Sequence, residues 1–216
     1  MVYKAVPNRN ECLLLMRRAC MPAHIQKHSL LVADVAIFLS KLLNEHKITL
    51  NLEVVQAGGL LHDIAKAQSL ATGERHETLG ARMLHQYGYL LLASMVQDHV
   101  SMDLIRLNGH INDSIIIYYA HKRVKHDQIV TLKERFADLV QRYSRTVQQQ
   151  AHMHRKYELY AKLEQRIFSH LEMDPNAGEL MQLSFSNEVG DNGGEEQYGH
   201  WQTTGGIACR GEIRRT

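Results

Sequence analysis

The chain is poor in the residues that punctuate or cross-link a fold: three prolines and three cysteines in 216 residues, with a single tryptophan. Cys12, Cys20 and Cys209 are odd in number and form no Cys-x-x-Cys pair, which argues against a disulfide framework and against a thiolate zinc site. Cys12 and Cys20 fall at helical positions beside leucine and methionine, where a thiol serves as a small buried hydrophobe. No apolar run approaches the ~20 residues of a membrane span, and the N-terminus, Met-Val-Tyr-Lys-Ala-Val-Pro, has no stretch of signal-peptide length. A reducing cytoplasm is therefore the expected compartment. An excess of one charge is missing too: Lys+Arg 25 against Asp+Glu 23 gives no bulk basic field of the kind that binds nucleic acid. Clusters of aromatic and basic residues, the other mark of such binding, are also lacking.

Between Pro7, Pro22 and Pro175 the pattern is helical. A first helix starts near Asn8 or Asn10 and carries the apolar run 12–16. Pro22 opens a second, long helix to about residue 45, with Leu30, Leu31, Val35, Ile37, Phe38 and Leu42 at helical spacing. After a polar break at 47–51, further helices are predicted over 52–65, 78–86, 90–98, 114–123, 131–143 and 148–171, with a loop at 68–75 around Gly73. Asn112-Asp113 caps one of them, and Thr131 with Glu134 forms a capping-box pattern at another. No window alternates as a strand would, so the fold class is all-α: a multi-helix bundle in one domain over 8–175. From Ser184 onward glycines are scattered among polar residues, and 184–216 reads as a flexible tail that cannot bury enough surface to order itself.

What the chain has in abundance is histidine, fourteen in all, the commonest metal ligand. The sharpest local feature is His62-Asp63, within Gly-Gly-Leu-Leu-His-Asp-Ile-Ala-Lys at 58–66. Its apolar flanks put the pair on a buried helix, where an imidazole beside a carboxylate is costly unless something pairs with both. A divalent metal does so, while a capping or surface pair is the bland alternative. Other histidines fall on separate helices: His28 early in the second, His76 at the start of the fourth, His99 at the end of the fifth, His121 late in the sixth. Sites within helical bundles draw their ligands from facing helices in this way. His24, on the same face as His28, sits nearer the rim. His46, His85, His110, His126, His152, His154, His170 and His200 have no comparable context and read as surface residues.

At these positions the sequence resembles the HD-domain superfamily of metal-dependent phosphohydrolases. The resemblance is carried by His28-Ser-Leu-Leu-Val-Ala, His62-Asp63-Ile-Ala-Lys66, His76-Glu-Thr-Leu-Gly-Ala, His99 and the final segment Tyr118-Tyr-Ala-His-Lys-Arg-Val124, over roughly residues 10–145. It implies metal ligation by His28, His62, Asp63, His76, His99 and His121, with Asp63 bridging two ions. His76 and His99 resemble the two-metal branch, which includes bacterial HD-type diadenosine tetraphosphate hydrolases and, more distantly, HD-GYP phosphodiesterases. One position departs from the pattern: the family closes its metal shell with an aspartate, commonly Ala-Asp-Lys, and His121 stands in that place. Asp113 and Asp127 are the nearest replacement carboxylates, about two turns away along the segment.

The implied reaction is hydrolysis of a phosphate ester or anhydride, of a nucleotide by preference, by water activated on one or two divalent ions. Asp63 would hold the ions and accept a proton from the water. Imidazole-rich shells suit iron, manganese, zinc or nickel better than magnesium. Lys66, nearly one turn after Asp63, either stabilises substrate phosphate or is a solvated lysine at a helix end. Lys122 and Arg123 are further phosphate candidates. The expected partners are a small phosphorylated substrate and a second copy of the chain in a homodimer, with no membrane and no nucleic acid. The swap at His121 raises a second reading, a non-catalytic domain that senses a nucleotide or binds a protein. A nuclease is a weaker third.

Overall fold

Asn8 and Glu11 exchange side-chain and backbone hydrogen bonds across the first turn of α1 (Arg9–Arg18), a capping box that sets where the helix begins. The computed structural model describes residues 4–100, 109–176 and 178–183. Cys12 on α1 is buried as expected, but Cys20 is exposed in the turn after the helix, at a φ of 51°. Pro22 then opens α2 (Ala23–Glu45), in which Leu31, Val32, Val35, Ala36, Leu39 and Leu43 are buried. A helix buried on so much of its circumference needs neighbours on several sides. α3 (Leu52–Leu61) and α7 (Asp113–Arg123) pack against it. Asn51 starts α3 by accepting from the amides of Glu53 and Val54, and Asn112 starts α7 by accepting from that of Ile115.

α3 ends at Leu61, short of the predicted 65, and residues 62–65 form a turn. Ile64 and Ala65 are fully buried within that turn, so the apolar run reflects burial and not continued helix. α4 (Lys66–Thr72) occupies much of the predicted loop and ends at Gly73, whose φ of 73° is the left-handed conformation glycine adopts without steric cost. α5 (His76–Gln86) begins two residues before the predicted start and packs on α6 (Leu90–Asp98) across Gly88.

After α7 a short antiparallel hairpin, β1 (Val124–Lys125) with β2 (Gln128–Ile129), reverses the chain, Val124 pairing with Ile129. α8 (Leu132–Tyr143) opens with the Thr131–Glu134 capping box, and α9 (Val147–Phe168) packs on it. A single turn, α10 (Gly178–Met181), follows. The fold is an all-α bundle, the hairpin being its one piece of sheet among the described residues. No described helix is long and apolar enough to cross a membrane. The glycine-rich segment 184–216, with His200, lies outside the described residues.

Candidate metal centre

His62 and His99 are held by the same device. Each is the first residue beyond a helix, where the last carbonyls have lost their intrahelical donors. The Nδ1–H of His62 donates to the carbonyl of Gly59 at 2.8 Å, and that of His99 to Val96 at 2.6 Å. His28, on α2, donates through Nδ1 to the carbonyl of His126 at 2.8 Å, at the tip of the hairpin. His76 opens α5 with Nδ1 3.3 Å from the buried carboxylate of Glu77. The carbonyl bonds of His28, His62 and His99 fix the tautomer and turn Nε2 to other partners, that of His99 lying 3.2 Å from His76 Nε2.

The free edges converge on Asp63. Asp63 Oδ1 is 3.2 Å from His76 Nε2 and 3.6 Å from His99 Nε2, and Oδ2 is 3.5 Å from His62 Nε2. The His62 and His121 rings are 4.6 Å apart, and His28 lies 5.4 Å from His62 and 5.3 Å from His121 between centroids. Two donor groups result, each with its ligand atoms within 4.8 Å of one another: His28, His62, Asp63 and His121, and Asp63, His76 and His99. Asp63 belongs to both.

This donor set fits divalent cations. Among the described residues His62 Nε2, Asp63 Oδ1 and His121 Nδ1 are buried without a hydrogen-bond partner, a costly arrangement that a metal ion relieves. Three of the imidazoles, those of His28, His99 and His121, are also biased toward the neutral form that a metal requires. Burial first, and then His62, push His28 down to about 3. Burial, then Lys122, His62 and His28, push His121 well below its ordinary value. Burial lowers His99 against the opposing pull of Asp63. Burial alone would raise the Asp63 carboxyl, but the imidazoles of His62, His76 and His99 outweigh it and hold the group well below the usual carboxylate range. A carboxylate held in its ionised form is suited to ligation.

The basic candidates separate. Lys66 Nζ donates to Asp63 Oδ2 at 2.9 Å and is 40 % exposed, so two of its three donors remain for another ligand. Lys122 is half-buried, with Nζ 5.7 Å from the centroid of the Tyr160 ring. Burial, then the nearby Arg135 and Lys156, push its ammonium down to about 7. Arg123 is not a phosphate ligand. Its fully buried guanidinium is committed to Glu164 at 3.0 Å, Tyr119 Oη at 2.7 Å, and the carbonyls of Val130 and Pro175, both at 2.8 Å. Consecutive residues on a helix point about 100° apart, so His121, Lys122 and Arg123 cannot all face one centre.

Asp113 accepts from the amide of Asn51 at 2.9 Å, and Asp127 is exposed on the hairpin; neither joins the donor groups. His24, His46, His85, His110, His126, His152, His154 and His170 are exposed. His126 is nevertheless engaged: besides its carbonyl on His28, its Nε2 accepts from Arg142 at 3.0 Å, and Arg142 bonds Asp138 at 2.9 Å. A carbonyl partner carries no sequence signature, so this support was invisible beforehand. The support from Glu77 was signalled only by its adjacency to His76.

An all-α fold with a buried carboxylate shared by two imidazole groups defines a class, helical proteins with a His/Asp cluster able to hold a divalent metal. The model of the HD domain matches residues 25–172, and the chain belongs to the HD-domain family. Members of this family are in general metal-dependent phosphohydrolases that hold divalent ions on such a His/Asp cluster. No curated protein and no solved structure matches the chain.

Proposed function

We propose that the protein is a hydrolase of phosphate esters or anhydrides, acting by preference on a nucleotide, with one or two divalent ions at the two donor groups. The observation that carries this reading is the single carboxylate, Asp63, common to both groups. A divalent ion held there supplies Lewis acidity toward phosphoryl oxygens and lowers the pKa of water toward neutrality. Asp63 and His62 anchor the centre, His28 and His121 complete one position, and His76 and His99 complete the other. Five imidazoles to one carboxylate favour iron, manganese, zinc or nickel over magnesium. Lys66 and Lys122 supply positive charge for a substrate phosphate. The same set supports assignment to the two-metal branch that contains the diadenosine tetraphosphate hydrolases.

Metal analysis of the purified protein, with hydrolysis assays on a panel of nucleotides, tests the proposal. His62→Ala should lose metal and reduce turnover by at least about a hundredfold, from the loss of a ligand at the reacting centre. Unchanged metal content and turnover would refute the assignment. His121 sits where the family has aspartate, and this favours a second reading, a domain that binds a nucleotide without hydrolysing it. Hydrolysis by His121→Asp where the parent protein has none would establish that reading.

A further inference from the structure

Asp138, on α8, is a buried carboxylate that belongs to neither donor group. Arg135 Nη1 lies 3.0 Å from its Oδ2, while Arg142 Nε at 2.9 Å and Lys125 Nζ at 3.3 Å share Oδ1. Arg135 and Arg142 stand three residues before and four after it, on one face of the helix. Lys125 comes from the hairpin, in β1. Arg142 leads to the hairpin as well: with Nε on Asp138, its Nη2 donates to Nε2 of His126 at 3.0 Å. One buried anchor thus grips two adjacent residues of the hairpin, Lys125 and His126.

The gripped residue is the one that orients His28. The carbonyl of His126 accepts from His28 Nδ1–H at 2.8 Å, across 98 positions of the chain. Gly59 and Val96, which hold His62 and His99, lie three residues before them at the same helix ends, so their carbonyls come into place as the helix forms. A remote carbonyl has no such guarantee. His126 also has a φ of 56°, in the left-handed region that a side chain makes costly, and such a conformation persists only where its surroundings hold it.

We propose that Asp138, Arg142 and His126 are positioning residues for His28: they fix the hairpin tip so that its carbonyl keeps the imidazole in the Nδ1–H tautomer and presents the Nε2 lone pair to a metal ion. A neutral imidazole has a lone pair on one nitrogen only, so a ring that exchanges tautomers sets an N–H where the ion must bind. The consequence for the metal rests on the metal-centre reading of the proposed function; the hold on His28 does not.

Nitrogen-15 NMR of the histidine rings in the metal-free protein, with zinc titration calorimetry on the full chain, tests this. His126→Leu keeps bulk but offers Arg142 no acceptor, whereas His126→Gln sets an amide oxygen at the reach of the lost Nε2. The wild type and His126→Gln should show His28 as the Nδ1–H tautomer, and His126→Leu and Arg142→Ala a mixture with Nε2–H. Zinc affinity should fall about tenfold in the latter two variants, the lower end of what losing an outer partner of a metal ligand costs, and be restored in His126→Gln. A His28 tautomer or a zinc affinity unchanged in both His126→Leu and Arg142→Ala overturns the proposal. Loss of the Nδ1–H tautomer at His62 and His99 as well overturns it too, since that marks a general loosening of the fold. A parent protein that binds no zinc counts against the metal-centre reading, and the tautomer comparison then decides the hold on His28 by itself.

Discussion

Lys122 is the residue at which function and stability pull apart. Its ammonium is pushed down to about 7 by burial and by Arg135 and Lys156, whereas in the unfolded chain it titrates near about 10.4. Below pH ~7 both states are protonated and the folded state bears the full cost of the buried charge; as pH rises from ~7 toward ~10.4 the folded state releases its proton first and the cost is relieved. Lys122→Met should therefore raise the Tm of the metal-free protein by about 2–4 °C at pH 6, with the difference vanishing near pH 10. Calorimetric scans across that range check it, and a gain constant with pH would mean that packing and not charge is responsible. Arg123, one residue on, has the opposite logic. Its guanidinium is buried but fully engaged, and it ties α7 to Glu164 on α9 and to the carbonyl of Pro175.

Among the elements, α2 and α3 set how closely the metal ligands approach. His28 lies on α2 and His62 just beyond α3, and the two helices pack tightly where Gly59 meets Ala33. A Cβ built on Gly59 would lie 2.7 Å from the Cα of Ala33, a backbone atom that cannot rotate aside. On Gly58 it would meet the tip of the Ile117 side chain at 2.5 Å, which can. Gly59→Ala should accordingly cost about 1–3 kcal/mol and weaken metal binding by spreading His28 from His62, while Gly58→Ala should cost less than about 1.5 kcal/mol. Urea denaturation with metal titration separates the two. Equal costs would show that the helices can move apart.

Taken whole, the molecule supplies its candidate ligands from α2, α5, α7 and the residues just beyond α3 and α6, so an ion bound there acts as a cross-link of the native state alone. Removing it with a chelator should lower Tm by several degrees, since saturation at about a hundred times Kd is worth roughly 2.7 kcal/mol. His62→Ala should abolish that difference in differential scanning calorimetry, and a chelator effect that survives in this variant would place the ion elsewhere. Much of this arrangement was legible in the sequence. Helix starts at Asn8 and Thr131 follow from side chains bonding amides three residues away, and His28, His62, Asp63, His76, His99 and His121 are residue types suited to metals at one or two per helix. These are local or compositional facts, so the sequence determines them. Tertiary packing decided the rest. It ended α3 at Leu61 because Ile64 and Ala65 could be buried in a turn, it turned Arg123 away from the centre by engaging it with Glu164, and it brought the carbonyl of His126 onto His28 from a distant hairpin. The physical reason is common to all three: the direction in which a side chain points, and what it meets there, depends on partners far along the chain, which neither propensity nor spacing encodes.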